Sequence, residues 1–146
     1  MIGKRKLLFP LLALVLAALA CGGSDPITME EIAVYPGVAQ MADGNIVAES
    51  MVESIRESAG DDAVDVDVRM YTLPNGTVWE EVKLFYTTET AAGDWSAAGD
   101  LTQETPFVNT IGWTRGGLMS PQAFVVAYSV DPLGGPPFLI PMLLSE

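Results

Sequence analysis

The chain has 146 residues, nineteen acidic and seven basic, for a formal charge of −12 at neutral pH, with no histidine and one cysteine. Without histidine there is no Ser-His-Asp triad and neither the usual general base nor the usual transition-metal ligand, and one thiol makes no internal disulfide or thiolate zinc centre. The acidic surplus repels phosphate backbones, which excludes nucleic acid as a partner, and the length suits a single core.

Residues 1–20 read as a leader. Lys4, Arg5 and Lys6 give a basic start, Leu7 to Ala20 is apolar, and Ala18-Leu19-Ala20 places small residues before Cys21. At 1.5 Å per residue this run rises only about 20 Å, short of a hydrocarbon core of about 30 Å. Pro10 and the Gly-Gly-Ser-Asp-Pro after Cys21 also oppose one continuous spanning helix. The segment resembles the lipobox-type signal peptide of bacterial lipoproteins, although Ala18 and Leu19 stand where the commonest pattern has leucine and then a small residue. The resemblance implies that residues 1–20 are removed, that the Cys21 sulfur carries a diacylglycerol, and that the protein sits on the extracytoplasmic face of a bacterial membrane. The mature chain would then hold four basic residues against nineteen acidic ones, so acyl chains and not surface charge must anchor it. Acylation would also leave no thiol for catalysis or metal binding.

Residues 21–30, mixing Gly, Ser, Asp, Pro and Thr, read as a tether, and the domain is expected over residues 31–146. Ile32 to Tyr35 predicts a strand ended by Pro36-Gly37. From Asn45 to Ala59, Ala48, Met51, Val52, Ile55 and Ala59 share one helical face, with Gly60 as the stop. Val64, Val66, Val68 and Met70 then alternate with Asp65, Asp67, Arg69 and Tyr71, a strand with one dry and one wet face. After the turn Pro74-Asn75-Gly76, Thr77 and Glu80 have the spacing of a capping box. The helix that follows gathers Val78, Trp79, Val82, Phe85 and Tyr86 on one arc and ends at Gly93-Asp94. An irregular stretch around Trp95 precedes three strands, Phe107 to Arg115, Gln122 to Val130 and Phe138 to Leu144, joined by Gly- and Pro-rich loops. Pro141 lacks a backbone donor and places the last of these at a sheet edge.

Consecutive strands favour antiparallel pairing, so the expected fold is α+β, with two helices on one face of a mostly antiparallel sheet. The early Tyr-Pro-Gly, the Trp-Glu-Glu-Val-Lys-Leu-Phe-Tyr helix and the following Gly-Asp-Trp resemble those of small, uncharacterised bacterial envelope lipoproteins, which pair such a helix with a short sheet.

Four features could carry function. Asp61, Asp62, Asp65 and Asp67 could bind calcium, but the spacing lacks the EF-hand Gly and Glu, and a strand spreads Asp65 and Asp67 along a solvated face. Glu80 and Glu81 would be the carboxylate pair of a small hydrolase, yet adjacent helical residues diverge by about 100° and the helix start itself favours both charges. Lys83 points off the apolar arc and suits an ion pair with nearby glutamates better than nucleophilic chemistry. The last strand is apolar on both sides, so Phe138, Ile140, Met142 and Leu144, with an outward Tyr71, form a candidate surface for an envelope partner or a second copy. The sequence thus favours a lipid-anchored, non-catalytic binding module without a cofactor, with calcium binding or carboxylate-dependent hydrolysis as alternatives.

Overall fold

The computed structural model describes residues 25–41, 46–59, 65–116 and 120–146. Its centre is built from the two most apolar strands. β6 (Gln122–Ser129) and β7 (Phe138–Ser145) run antiparallel along their full length, Gln122 opposite Ser145 and Ser129 opposite Phe138. β5 (Val108–Arg115) lies on the other edge of β6, and β4 (Ser96–Glu104) pairs outside β5. Along the far edge of β7, β2 (Asp65–Val68) and β3 (Tyr71–Thr72) lie end to end, and β1 (Ala39–Gln40) closes the sheet beside β3. Every pairing among the described residues is antiparallel. Two helices, α1 (Ile46–Ala59) and α2 (Trp79–Ala91), complete one α+β domain on an open sheet, as the order of elements predicts.

Pro141 sits in a central strand and not at an edge. β2 and β3 keep a single register on β7, Val68 opposite Met142 and Tyr71 opposite Leu139, and between them the Arg69 amide donates to the Pro141 carbonyl at 3.0 Å. Proline has no N–H to return, so the ladder lapses at Arg69 and Met70 and then resumes. The Met70 carbonyl finds its donor on the other side, in the Met41 amide at 3.0 Å. One missing bond is thus confined to one step of the ladder.

Pairing on both edges makes β7 interior. Ile140 and Met142 are 1% and 0% exposed, and Phe138 and Leu144 are half-buried. The strand is therefore not the open interface its two apolar faces suggest, because each face is covered in the fold. One face carries Trp113, Phe124, Val126, Tyr128, Leu139 and Leu143, sealed by Trp79, Val82 and Tyr86 of α2 with Met29 and Leu73. The opposite face carries Val125, Ala127, Ile140 and Met142, and Met51 and Val52 of α1 pack there. The helices are thus divided between the two faces and not gathered on one as the sequence suggests, since strands that are apolar on both sides leave neither face free for water.

Local differences have similar causes. Ile32 to Tyr35 joins no ladder, and Tyr35 instead sets its ring edge-on to Phe85, centroids 5.2 Å apart. Ile27 packs on the core and Met29 is buried within it, so the packed domain begins inside the expected tether. β4 was not expected, because Ser-Ala-Ala-Gly-Asp-Leu-Thr-Gln-Glu offers few β-branched or aromatic residues. It forms by pairing with β5 in two registers, and the residues bulged between Ala98 and Gln103 fold Leu101 over Gly112. A Cβ at Gly112 would overlap the Cβ of Leu101, so this position requires glycine for close approach. Helix α2 starts one residue later than the sequence suggests. Val78 stands at its N-cap, the Thr77 hydroxyl donates to the Pro74 carbonyl at 2.8 Å, and Glu81, not Glu80, accepts from the Val78 amide at 3.5 Å.

Tyr86 carries a cost inside the main core. Its side chain is 1% exposed, and its hydroxyl lies near the Tyr35 backbone without hydrogen-bond geometry, leaving it unpartnered. Burial pushes this phenol well above its ordinary pKa. Tyr86→Phe keeps the ring contacts and removes only the stranded hydroxyl, so we expect a gain of about 1 kcal/mol in urea unfolding. A loss of that size would mean the hydroxyl is bonded in solution.

Candidate binding cleft at the Arg115 end of the sheet

The end of the sheet where the N-terminal segment enters is organised by one buried polar residue, Gln122. Its Oε1 accepts from the Ile27 amide at 2.9 Å, and its Nε2 donates to the Ile27 carbonyl at 2.9 Å and to Ser145 Oγ at 3.0 Å. An extended backbone is thereby held as if by a short strand. Sequence reading missed Gln122 because a lone glutamine at a strand start has no distinguishing pattern, and only the fold brings Ile27 beside it.

Next to this staple a cleft of about 450 Å³ opens around the sheet end, lined among others by Ser96, Thr114, Arg115, Pro121, Ala123 and Leu144. Arg115 ends β5, and Gly116, with φ of +90°, turns the chain away where a Cβ would overlap the Ser120 carbonyl oxygen. The guanidinium lies over the Trp95 ring, 5.4 Å from its centroid, a cation–π contact that positions the group without neutralising it. Trp95 is backed in turn by Phe124, centroids 5.8 Å apart. Arg115 Nη2 donates to the Asp25 carbonyl at 3.3 Å, while its Nε is buried with no partner. Among the described residues Arg115 makes no ion pair, although carboxylates outnumber cations nearly three to one in the chain. Chemically the cleft offers a guanidinium with no ion-pair partner among the described residues, hydroxyls from Ser96 and Thr114, and an apolar wall.

Two other basic groups, Arg69 and Lys83, are already engaged with acids. Arg69 borders a second cleft, of about 530 Å³ between α1 and the β2–β3 edge, but it bonds Asp67 at 3.2 Å and Glu30 at 2.7 Å. Lys83 meets Glu104 of β4 at 2.6 Å, and Trp79 Nε1 donates to the same oxygen at 3.0 Å. The lysine thus reaches across to the sheet and not along its own helix. Those two donors, Lys83 first, hold the Glu104 carboxyl below the ordinary carboxylate range. A depressed folded pKa gives stability that is complete above the unfolded glutamate value of about 4.3 and is lost as pH falls through the folded value. Glu104→Gln should therefore lower stability slightly at neutral pH, by a small amount because the pair is exposed, and converge with the parent in acid, flattening the limb below about pH 4.3. An unchanged acid limb would show that the pair is not formed in solution.

Of the candidates read from the sequence, Cys21, Asp61 and Asp62 lie outside the described residues. Asp65 is exposed at the start of β2, and Asp67 accepts from Arg69. Among the described residues no group of three His, Cys, Asp or Glu is placed to hold a metal ion. Tyr71 does not point into solvent, because its register opposite Leu139 turns it onto the main core, where it is half-buried. Glu80 and Glu81 are exposed at the start of α2 and line neither cleft. No described helix is long and apolar enough to cross a membrane. No protein-family model, curated protein or solved structure matches the chain.

Proposed function

We propose that this is a lipid-anchored protein of the bacterial cell envelope, held at the extracytoplasmic membrane face through Cys21 and acting as a non-catalytic binding module. The observation that carries the reading is the leader that ends in the chain's only cysteine, four residues before the point where the domain takes hold of the chain. The absence of histidine and of any second thiol supports binding over catalysis. The Gln122 staple supports a short leash, because it fixes the chain from Ile27 onward to the sheet. The Arg115 cleft supplies a recognition surface at the same end.

The test is the intact mass of the protein purified from its native membranes. The expected species begins at Cys21, carries the mass of a diacylglycerol, and partitions into detergent, while Cys21→Ser abolishes both the added mass and the partitioning. A species retaining Met1, or an unmodified Cys21 thiol on soluble protein, overturns the reading.

A further inference from the structure

Resting on that anchored reading, we infer that the Arg115–Trp95 end of the domain docks on the headgroup layer of its own membrane, taking the phosphate of a zwitterionic phospholipid into the cleft. The first argument is reach. Asp25, whose carbonyl touches Arg115, is four positions after Cys21, and four extended steps span at most about 14 Å. Adding the Asp25 carbonyl and its 3.3 Å contact, an anchor at Cys21 holds the guanidinium within about 20 Å of the lipid surface. The opposite end, where Phe107 is 65% and Leu133 94% exposed, is one strand length from Arg115, about 25 Å.

The second argument is chemistry. A guanidinium that makes no ion pair among the described residues suits a phosphate, and an arginine paired with a tryptophan suits the boundary between headgroups and acyl chains. Third, the local charge selects the kind of lipid. Asp25, Asp65, Asp94 and Glu146 all lie at this end, Asp25 on the segment touching Arg115, Asp65 opposite Ser145, and Asp94 and Glu146 at the cleft. These carboxylates repel a lipid whose headgroup is net negative, yet they attract an ammonium carried next to the phosphate. A single guanidinium contact is weak in free solution. On a tethered domain it meets headgroups at millimolar or higher effective concentration, so weak affinity is enough to fix the orientation. The consequence is a domain standing on its Arg115 end, with Phe107 and Leu133 pointing away from the membrane.

The experiment uses the uniqueness of Cys21. The chain from Cys21 to Glu146, which contains every described residue, is coupled through its one thiol to a maleimide phospholipid in nanodiscs with nitroxide-labelled headgroups. Amide relaxation in the NMR spectrum is then read residue by residue. In phosphatidylethanolamine–phosphatidylcholine discs, the Ser96 and Gly116 amides should be broadened while those of Phe107 and Leu133 are spared. Arg115→Gln should abolish that contrast, Arg115→Lys should retain part of it, and phosphatidylglycerol-rich discs should weaken it; spectra of the uncoupled variants confirm that they fold. Equal broadening of both ends, or an undiminished contrast in Arg115→Gln, overturns the inference. So does a cleft that binds free phosphoethanolamine equally well and shows no orientation in discs. Because the coupling is chemical, this result is independent of whether Cys21 is acylated in the cell, which the native mass decides.

Discussion

Phe124→Ala should cost about 3–5 kcal/mol of unfolding free energy, the largest loss expected from any single truncation in the domain. Phe124 is 1% exposed and stands where four aromatic rings meet, stacked on Trp113 at 5.7 Å with planes 19° apart and tilted against Tyr86 and Trp95 at 5.7 and 5.8 Å. Removing the ring takes away its transfer free energy and leaves a cavity that Trp113, wedged into β5, cannot collapse to fill. Domains of this size have about 5–15 kcal/mol in total, so the variant should be marginal at 25 °C, with a urea midpoint shifted far to the left and little change in slope. A loss below about 1 kcal/mol would mean that the ring cluster is not the centre of the core. Trp95 would also lose its backing, so the Arg115 contact should loosen in the same variant.

Gln122→Ala should be the next most damaging change, at about 2–3 kcal/mol. The side chain is only 4% exposed, and its loss leaves the Ile27 amide and carbonyl without their partners while freeing Ser145 Oγ. The signature would be local as well as global. Hydrogen exchange at the Ile27 amide should rise from slow to fast, while amides of β6 and β7 change only with global stability. Gln122→Glu should not rescue the staple, because it keeps the acceptor for the Ile27 amide but sets a carboxylate against the Ile27 carbonyl. Persistent protection at Ile27 in Gln122→Ala would show that the N-terminal segment is held by the packing of Ile27 and Met29 alone.

The legible parts of the fold were those whose signal is local. The helix over Trp79–Ala91 and strands β5, β6 and β7 follow from periodicity and from the turn residues between them. β4 was illegible because its residues have little strand preference, and it exists through its pairing with β5. The edge placement drawn from Pro141 failed for a definite reason. A missing donor costs one ladder bond, and the lapse at Arg69 and Met70 absorbs that cost without moving the strand to an edge. The outward Tyr71 failed because alternation tells only that neighbours face opposite ways, and here both faces of the sheet are covered.

Sequence by itself determined the basic-then-apolar opening run with its lone cysteine, the acidity, the missing histidine and the α+β succession of elements, since each depends on residue identity or on neighbours a few positions apart. Tertiary structure decided which strand is central, how the helices divide between two faces, and that Gln122 grips Ile27 while Arg115 lies over Trp95 beside a cleft. Those arrangements join residues 20 to 95 positions apart. Such long-range contacts come from the competition of every apolar surface for cover, which no local pattern records.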